Sequence, residues 1–175
     1  FTQPFRVMDI GTGDGALLVQ LLKALREAGT IDAIGEVLLV DSSPAMIEIA
    51  TRNLAEVAPA RAIKAATHRI QAVTPEIRSR YDLALMSLAY HHMPYEEKLV
   101  HLKQLQPWVD HYVLLEADAN HVTPEVLSPD LVLSVYQMYG RVIELVFAHD
   151  APVEVALACV DRFVMVEEIS LLTQP

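Results

Sequence analysis

Cysteine is almost missing from this sequence: Cys159 is the only one in 175 residues. That excludes an internal disulfide and suits a reducing, cytoplasmic compartment. The apolar neighbours of Cys159 predict a core position. Basic residues are scarce as well. Lys and Arg number 13 against 23 Asp and Glu, for a formal charge of −10. Residues 1–115 hold 13 acids against 11 bases, whereas residues 116–175 hold 10 acids against only Arg141 and Arg162. No Lys/Arg patch is present to meet a phosphate backbone, so free nucleic acid is not an expected partner. The acidic final third is of the right sign to attract a basic partner, but such charge ordinarily solvates a surface.

Long apolar runs are missing too. None reaches the roughly 18 residues that span a bilayer. The richest stretch, 131–148, is broken by Gln137, Arg141 and Glu144, so a membrane is not an expected partner. No basic segment followed by an apolar one opens the chain, which argues against a signal peptide. Repeats and low-complexity tracts are absent. The chain starts one step before an apolar run and stops at Thr173-Gln174-Pro175, and both ends read as cuts in a longer protein.

What is present suffices for one globular domain. Apolar residues make up 53% of the chain, enough to build a core and too many for disorder. Short apolar runs with polar borders predict buried strands at 6–10, 37–40, 62–66, 83–88 and 112–115. Helical patterns lie between them. Leu17, Leu18, Leu21, Leu22 and Leu25 share one helix face, and Gly29 is placed to end it. Ser43 is placed to cap a second helix, with Pro44 in its first turn and Met46, Ile47, Ala50, Leu54 and Val57 as its apolar face. A third covers residues 95–105, with Leu99, Leu102 and Leu105 at helical spacing. This alternation predicts an α/β fold, a parallel sheet with helices on both faces. After Asp118 the pattern becomes two long helices, at 129–149 and 152–172. Residues 1–118 are therefore expected to form the core, and 119–175 a helical extension or lid of the same domain.

The first strand runs into Gly11-Thr12-Gly13-Asp14-Gly15, and a helix begins at once. Glycines are needed where a ligand lies against bare backbone and where φ is positive. A helix N-terminus adds N–H groups for ligand oxygens. The dinucleotide fingerprint is G-x-G-x-x-G; here the spacing is G-x-G-x-G, with Asp9 two residues ahead of the first glycine. An acid there is unfavourable to a pyrophosphate and suits a ligand bearing an ammonium group.

The segment Val7-Met8-Asp9-Ile10-Gly11-Thr12-Gly13-Asp14-Gly15, together with Asp41 closing the next apolar run, resembles the cofactor site of the class I methyltransferases. The resemblance covers roughly residues 6–118 and implies a Rossmann-like sheet that binds S-adenosylmethionine. It implies that Asp9, Gly11, Thr12, Gly13 and Gly15 form the cradle and that Asp41 holds the ribose hydroxyls. Ser42 and Met46 would lie against the adenine, and Ser87 sits in the fourth-strand motif. Glu116 and Asp118 follow the fifth strand, where substrate-facing residues often lie. His92, in the loop after the fourth strand, is the candidate base, with Glu116 as the second catalytic candidate. Two features depart from the family pattern. The acid that often binds adenine after the third strand is replaced near His68, leaving backbone or Gln71 for that contact. The two strands that usually close the sheet are not visible.

The resulting expectation is an S-adenosylmethionine-dependent methyltransferase for a small molecule or a carrier-bound acyl group. A non-catalytic cofactor-binding or scaffold domain is one alternative. An NAD-dependent oxidoreductase is another, disfavoured by Asp9 and the glycine spacing. His91 and His92 with Glu116, Asp118 or His121 have metal-ligand chemistry, but the spacing fits no compact motif, and no metal is expected. His101, His111 and His149 read as surface or core residues, and Tyr136 and Tyr139 as packing residues. Finally, residues 153–166 are apolar almost all round a helix, interrupted only by Glu154, Asp161 and Arg162. Such a helix is normally buried on all sides, which predicts a homodimer through residues 153–172 or cover from a further C-terminal segment.

Overall fold

A computed structural model describes residues 3–74, 77–90, 93–116, 125–148 and 150–173. The chain divides into two compact units, 1–116 and 117–175. The expected boundary at Asp118 lies outside the described residues.

The first unit is a five-stranded, wholly parallel sheet in the order β3-β2-β1-β4-β5. Its strands are β1 (Phe5–Ile10), β2 (Ile34–Asp41), β3 (Ile63–Thr67), β4 (Tyr81–Ser87) and β5 (Val109–Leu115). Helices α1 (Ala16–Glu27), α2 (Pro44–Leu54), α3 (Ile70–Val73) and α4 (Tyr95–Leu105) connect them. The Rossmann-like expectation is met, and no sixth or seventh strand occurs among the described residues. The centre of the sheet is apolar on both faces, as burial between two helix layers requires. Side chains alternate. Val7, Leu83 and Leu85 pack with Leu18, Leu22, Ile47 and Leu54 on the face of α1 and α2. Met8, Ala84 and Met86 pack with Ile70, Val73 and Leu105 on the face of α3 and α4.

Strand limits differ from expectation where polar residues hide them. β2 begins at Ile34, not at residue 37, because Glu36 is satisfied within the sheet. Its carboxylate meets Arg6 at 3.2 Å, Lys64 at 2.6 Å and the Tyr81 hydroxyl at 2.6 Å. β4 ends at Ser87, and Leu88 leaves the strand with φ +50°. The helix faces also shift. Leu17, Met46 and Leu99 are 40%, 37% and 49% exposed. On α1, Val19 is buried with Leu18 and Leu22, rotating the packed stripe away from Leu17. Ser43 caps α2 through its side chain as expected, accepting from Met46 N.

The second unit is helical. α5 runs Pro129–Ala148, and its first turn is capped by Ser128 Oγ, which accepts from Leu131 N at 3.3 Å. The second expected helix is continuous in position but not in type. α6 (Val153–Cys159) passes through a π-helical turn (Val160–Val164) into α7 (Met165–Thr173). Leu131, Val135 and Leu171 form its small buried cluster, with Met138, Tyr139 and Leu172 against it. Cys159 is half-buried, not in the core. By length and composition α5 is the one described helix able to cross a membrane, with mean hydropathy 1.3. Gln137, Arg141 and Glu144 therefore interrupt the run less than the sequence reading held.

Candidate functional site

In a doubly wound parallel sheet, ligands bind beyond the strands' C-terminal ends, where the strand order reverses. Here that place lies between β1 and β4, which are neighbours although β2 and β3 intervene in sequence. Gly11, Thr12, Gly13 and Gly15 follow β1 there, with Gly11, Gly13 and Gly15 at φ +68°, +53° and +74°. The turn is pinned to β2, since Gly11 and Thr12 both donate N–H to Val40 O, at 2.8 and 3.1 Å.

The glycines serve different ends. A Cβ on Gly15 would stand 2.8 Å from Leu54 Cδ2 and 3.1 Å from Ala50 Cβ, so Gly15 lets α1 pack on α2. A Cβ on Gly11 would stand 2.4 Å from Ala89 Cβ, so Gly11 admits the turn after β4. A Cβ on Gly13 would meet nothing within 4 Å. Bare backbone beside open space is what a closely seated ligand needs.

Two carboxylates frame the turn. Asp9 is 4% exposed, and its Oδ2 accepts from the Thr12 hydroxyl at 2.6 Å. Burial pushes its pKa up to about 6; the Thr12 bond opposes this and the Asp41 charge adds to it. Asp41 closes β2. Its Oδ2 accepts from Gly13 N at 3.0 Å and its Oδ1 from Ser43 N at 2.8 Å. Each carboxylate oxygen has capacity for a further donor, so the group is oriented by the backbone and still able to hold a hydroxyl. Asp14 Oδ1 accepts from Ala16 N at 2.9 Å, and Asn53 Nδ2 donates to Asp14 O at 2.9 Å, tying the turn to α2.

The structure thus joins Asp9, Thr12, Gly13 and Asp41 in one network. Ser42 and Met46 lie exposed beside it, and Ser87 is half-buried at the end of β4. Glu116 follows β5, and its Oε1 accepts from Ala89 N at 2.8 Å and Tyr90 N at 2.5 Å. His92, like His91, Asp118 and His121, lies outside the described residues. His68 is exposed immediately after β3, and Gln71 donates to Glu97 Oε2 at 2.9 Å. His101 is a buried core residue. No group of three metal-ligating side chains occurs among the described residues. The sequence reading missed Leu88 and Ala89. A small residue after β4 facing a β1 glycine was the available signal for Ala89; Leu88 offered none.

A model of the methyltransferase domain family matches residues 8–118. No curated protein sequence matches the chain. Among solved structures, a co-crystal of WbdD with a kinase inhibitor is 20% identical with a TM-score of 0.53, over 73% of this chain and 28% of that one. LepI in complex with SAM is 18% identical at 0.51, over 79% and 34%. The DhpI-SAM-HEP complex is 14% identical at 0.50, over 69% and 54%. The chain thus spans about half or less of the length of these three proteins, and these likenesses speak for the fold.

Proposed function

The chain belongs to the methyltransferase domain family, and on that premise we propose that it transfers a methyl group from S-adenosylmethionine to a small molecule or a carrier-bound acyl group. The observation that carries the proposal is the Asp9–Thr12 and Gly13–Asp41 network around a glycine turn with open space at Gly13. These carboxylate acceptors suit the cofactor's hydroxyl and ammonium donors. Asp41 would hold the ribose hydroxyls. Asp9 would face the ammonium, and the Gly11–Gly13 backbone would underlie the amino-acid portion. Ser42, Met46 and Ser87 would line the remainder. The similar structures that hold SAM support the choice of ligand by fold alone.

When bound, S-adenosylmethionine supplies a methyl group on a sulfonium leaving group; the protein's task is chiefly alignment. A hydroxyl or carbon-acid acceptor also requires a base, and His92 is the residue proposed for it. A cytoplasmic setting belongs to the same proposal and rests on the single cysteine.

The test is a transfer assay with tritiated S-adenosylmethionine, offered pools of hydroxy acids, phenols, amines and acyl carriers. Label entering one acceptor class supports the proposal. Tight cofactor binding with no transfer to any class would favour a cofactor-binding scaffold instead.

A further inference from the structure

We infer that Glu116 is a positioning residue, whose carboxylate locks the turn after β4 against Gly11 and so sets the shape of the cofactor cradle. The inference begins with a strained backbone. Leu88 has φ +50°, a left-handed conformation unfavourable to any residue with a Cβ. Its side chain is 60% exposed, so burial does not compensate. Hydrogen bonds from the end of β5 hold the turn instead. Leu88 donates N–H to Leu115 O at 2.8 Å. The next two N–H groups, of Ala89 and Tyr90, both donate to Glu116 Oε1, at 2.8 and 2.5 Å. Successive N–H groups around a left-handed residue form a nest that binds anions. Here the anion is a side chain of the same unit.

The far side of the turn shows what the lock controls. Ala89 is the residue that a Cβ on Gly11 would strike. Gly11 is fixed to β2 by its N–H, and Gly13 is fixed to Asp41. A continuous path therefore runs from Glu116 through Ala89 and Gly11 to the two carboxylates of the site. Loss of the Glu116 oxygen frees Ala89 to shift and removes one wall of the cradle. The competing role, substrate base, suits this group poorly. Its Oε1 is already committed to two backbone N–H groups.

Two variants separate the roles. Glu116→Gln keeps a side-chain oxygen for both N–H groups and removes the ionisable group; Glu116→Ala removes the oxygen. Calorimetric titration with S-adenosylmethionine should place Glu116→Gln within about threefold of the unaltered protein and Glu116→Ala weaker by about tenfold or more. Amide hydrogen exchange at Ala89 and Tyr90 should stay slow in Glu116→Gln and quicken in Glu116→Ala. Unchanged affinity or unchanged exchange in Glu116→Ala would overturn the inference, as would equal loss in both variants. The affinity arm rests on the proposed function, but the exchange arm does not. Failure of the unaltered protein to bind S-adenosylmethionine, with the exchange pattern intact, would sink that function and leave the lock standing. Should Glu116→Ala not fold, Gly11→Ala supplies the same reading. It should weaken binding, and adding Ala89→Gly should restore part of the loss; no restoration would overturn the link.

Discussion

Gly13 donates its backbone N–H to Asp41 Oδ2 at 3.0 Å, joining the turn after β1 to the last residue of β2 across 28 positions. The same carboxylate therefore shapes the turn and, under the proposed function, would also hold the ribose hydroxyls. Asp41→Ala should lose both functions. The expected loss of S-adenosylmethionine affinity is about 2–4 kcal/mol, and calorimetry reads it. A loss below about tenfold would show that Asp41 is not the ribose ligand.

Gly13 and Gly15 should respond differently to alanine. At Gly15 the added Cβ meets Leu54 and Ala50 and sits at φ +74°. Crowding and strain together predict a destabilisation of about 2–4 kcal/mol. At Gly13 there is no neighbour to strike, so only the backbone cost of about 1–2 kcal/mol applies, while cofactor affinity should drop because the methyl group fills ligand space. Thermal unfolding and titration of both variants check the contrast. Equal destabilisation would contradict it.

Asp9 and His101 should oppose each other in acid. Burial raises the Asp9 pKa from 3.8 to about 6, against the Thr12 hydrogen bond and with help from the Asp41 charge. The folded chain then retains a proton that the unfolded chain releases, so stability falls as pH rises through that window. Burial lowers the His101 pKa from 6.5 to about 4. There the unfolded chain takes the proton first, so stability rises with pH over nearly the same range. The two slopes largely cancel. Asp9→Asn removes the falling one, and its unfolding free energy should gain about 3 kcal/mol relative to the unaltered protein between roughly pH 4 and pH 6. Denaturant titrations at several pH values test this; parallel profiles would refute it.

The α6–α7 segment carries a proposal about association. Val153, Val155, Leu157, Val166 and Ile169 are each more than half exposed. We propose that a second copy of the chain covers them, since apolar patches of this kind are uncommon on monomers. Sedimentation should show a dimer, and Val155→Glu with Ile169→Glu should yield a folded monomer. An unaltered chain that stays monomeric at high concentration would count against the proposal.

The core of this site was legible in the sequence because its chemistry is local. Asp9 and three closely spaced glycines after an apolar run announce a strand, a tight turn and a helix. Asp41 ends the next run at the right distance. The rest was hidden by long-range backbone partners. Nothing in the identity of Leu88 predicts a left-handed residue. Glu116 could be placed beside the site but not assigned its work, because its partners are the N–H groups of Ala89 and Tyr90, 27 and 26 positions away. The start of β2 was missed for a related reason, since Glu36 reads as a strand border until Arg6, Lys64 and Tyr81 are brought to it. The π-helical turn at Val160–Val164 leaves no trace in the apolar pattern.

One binding comparison tests the central claim. The protein should be titrated in a calorimeter with S-adenosylmethionine, with its demethylated product and with NAD, at a pH well above the Asp9 pKa. The network of Asp9, Gly13 and Asp41 predicts saturable binding of the first two, with NAD much weaker. NAD binding as tightly as S-adenosylmethionine, or tighter, would contradict the assignment of this site.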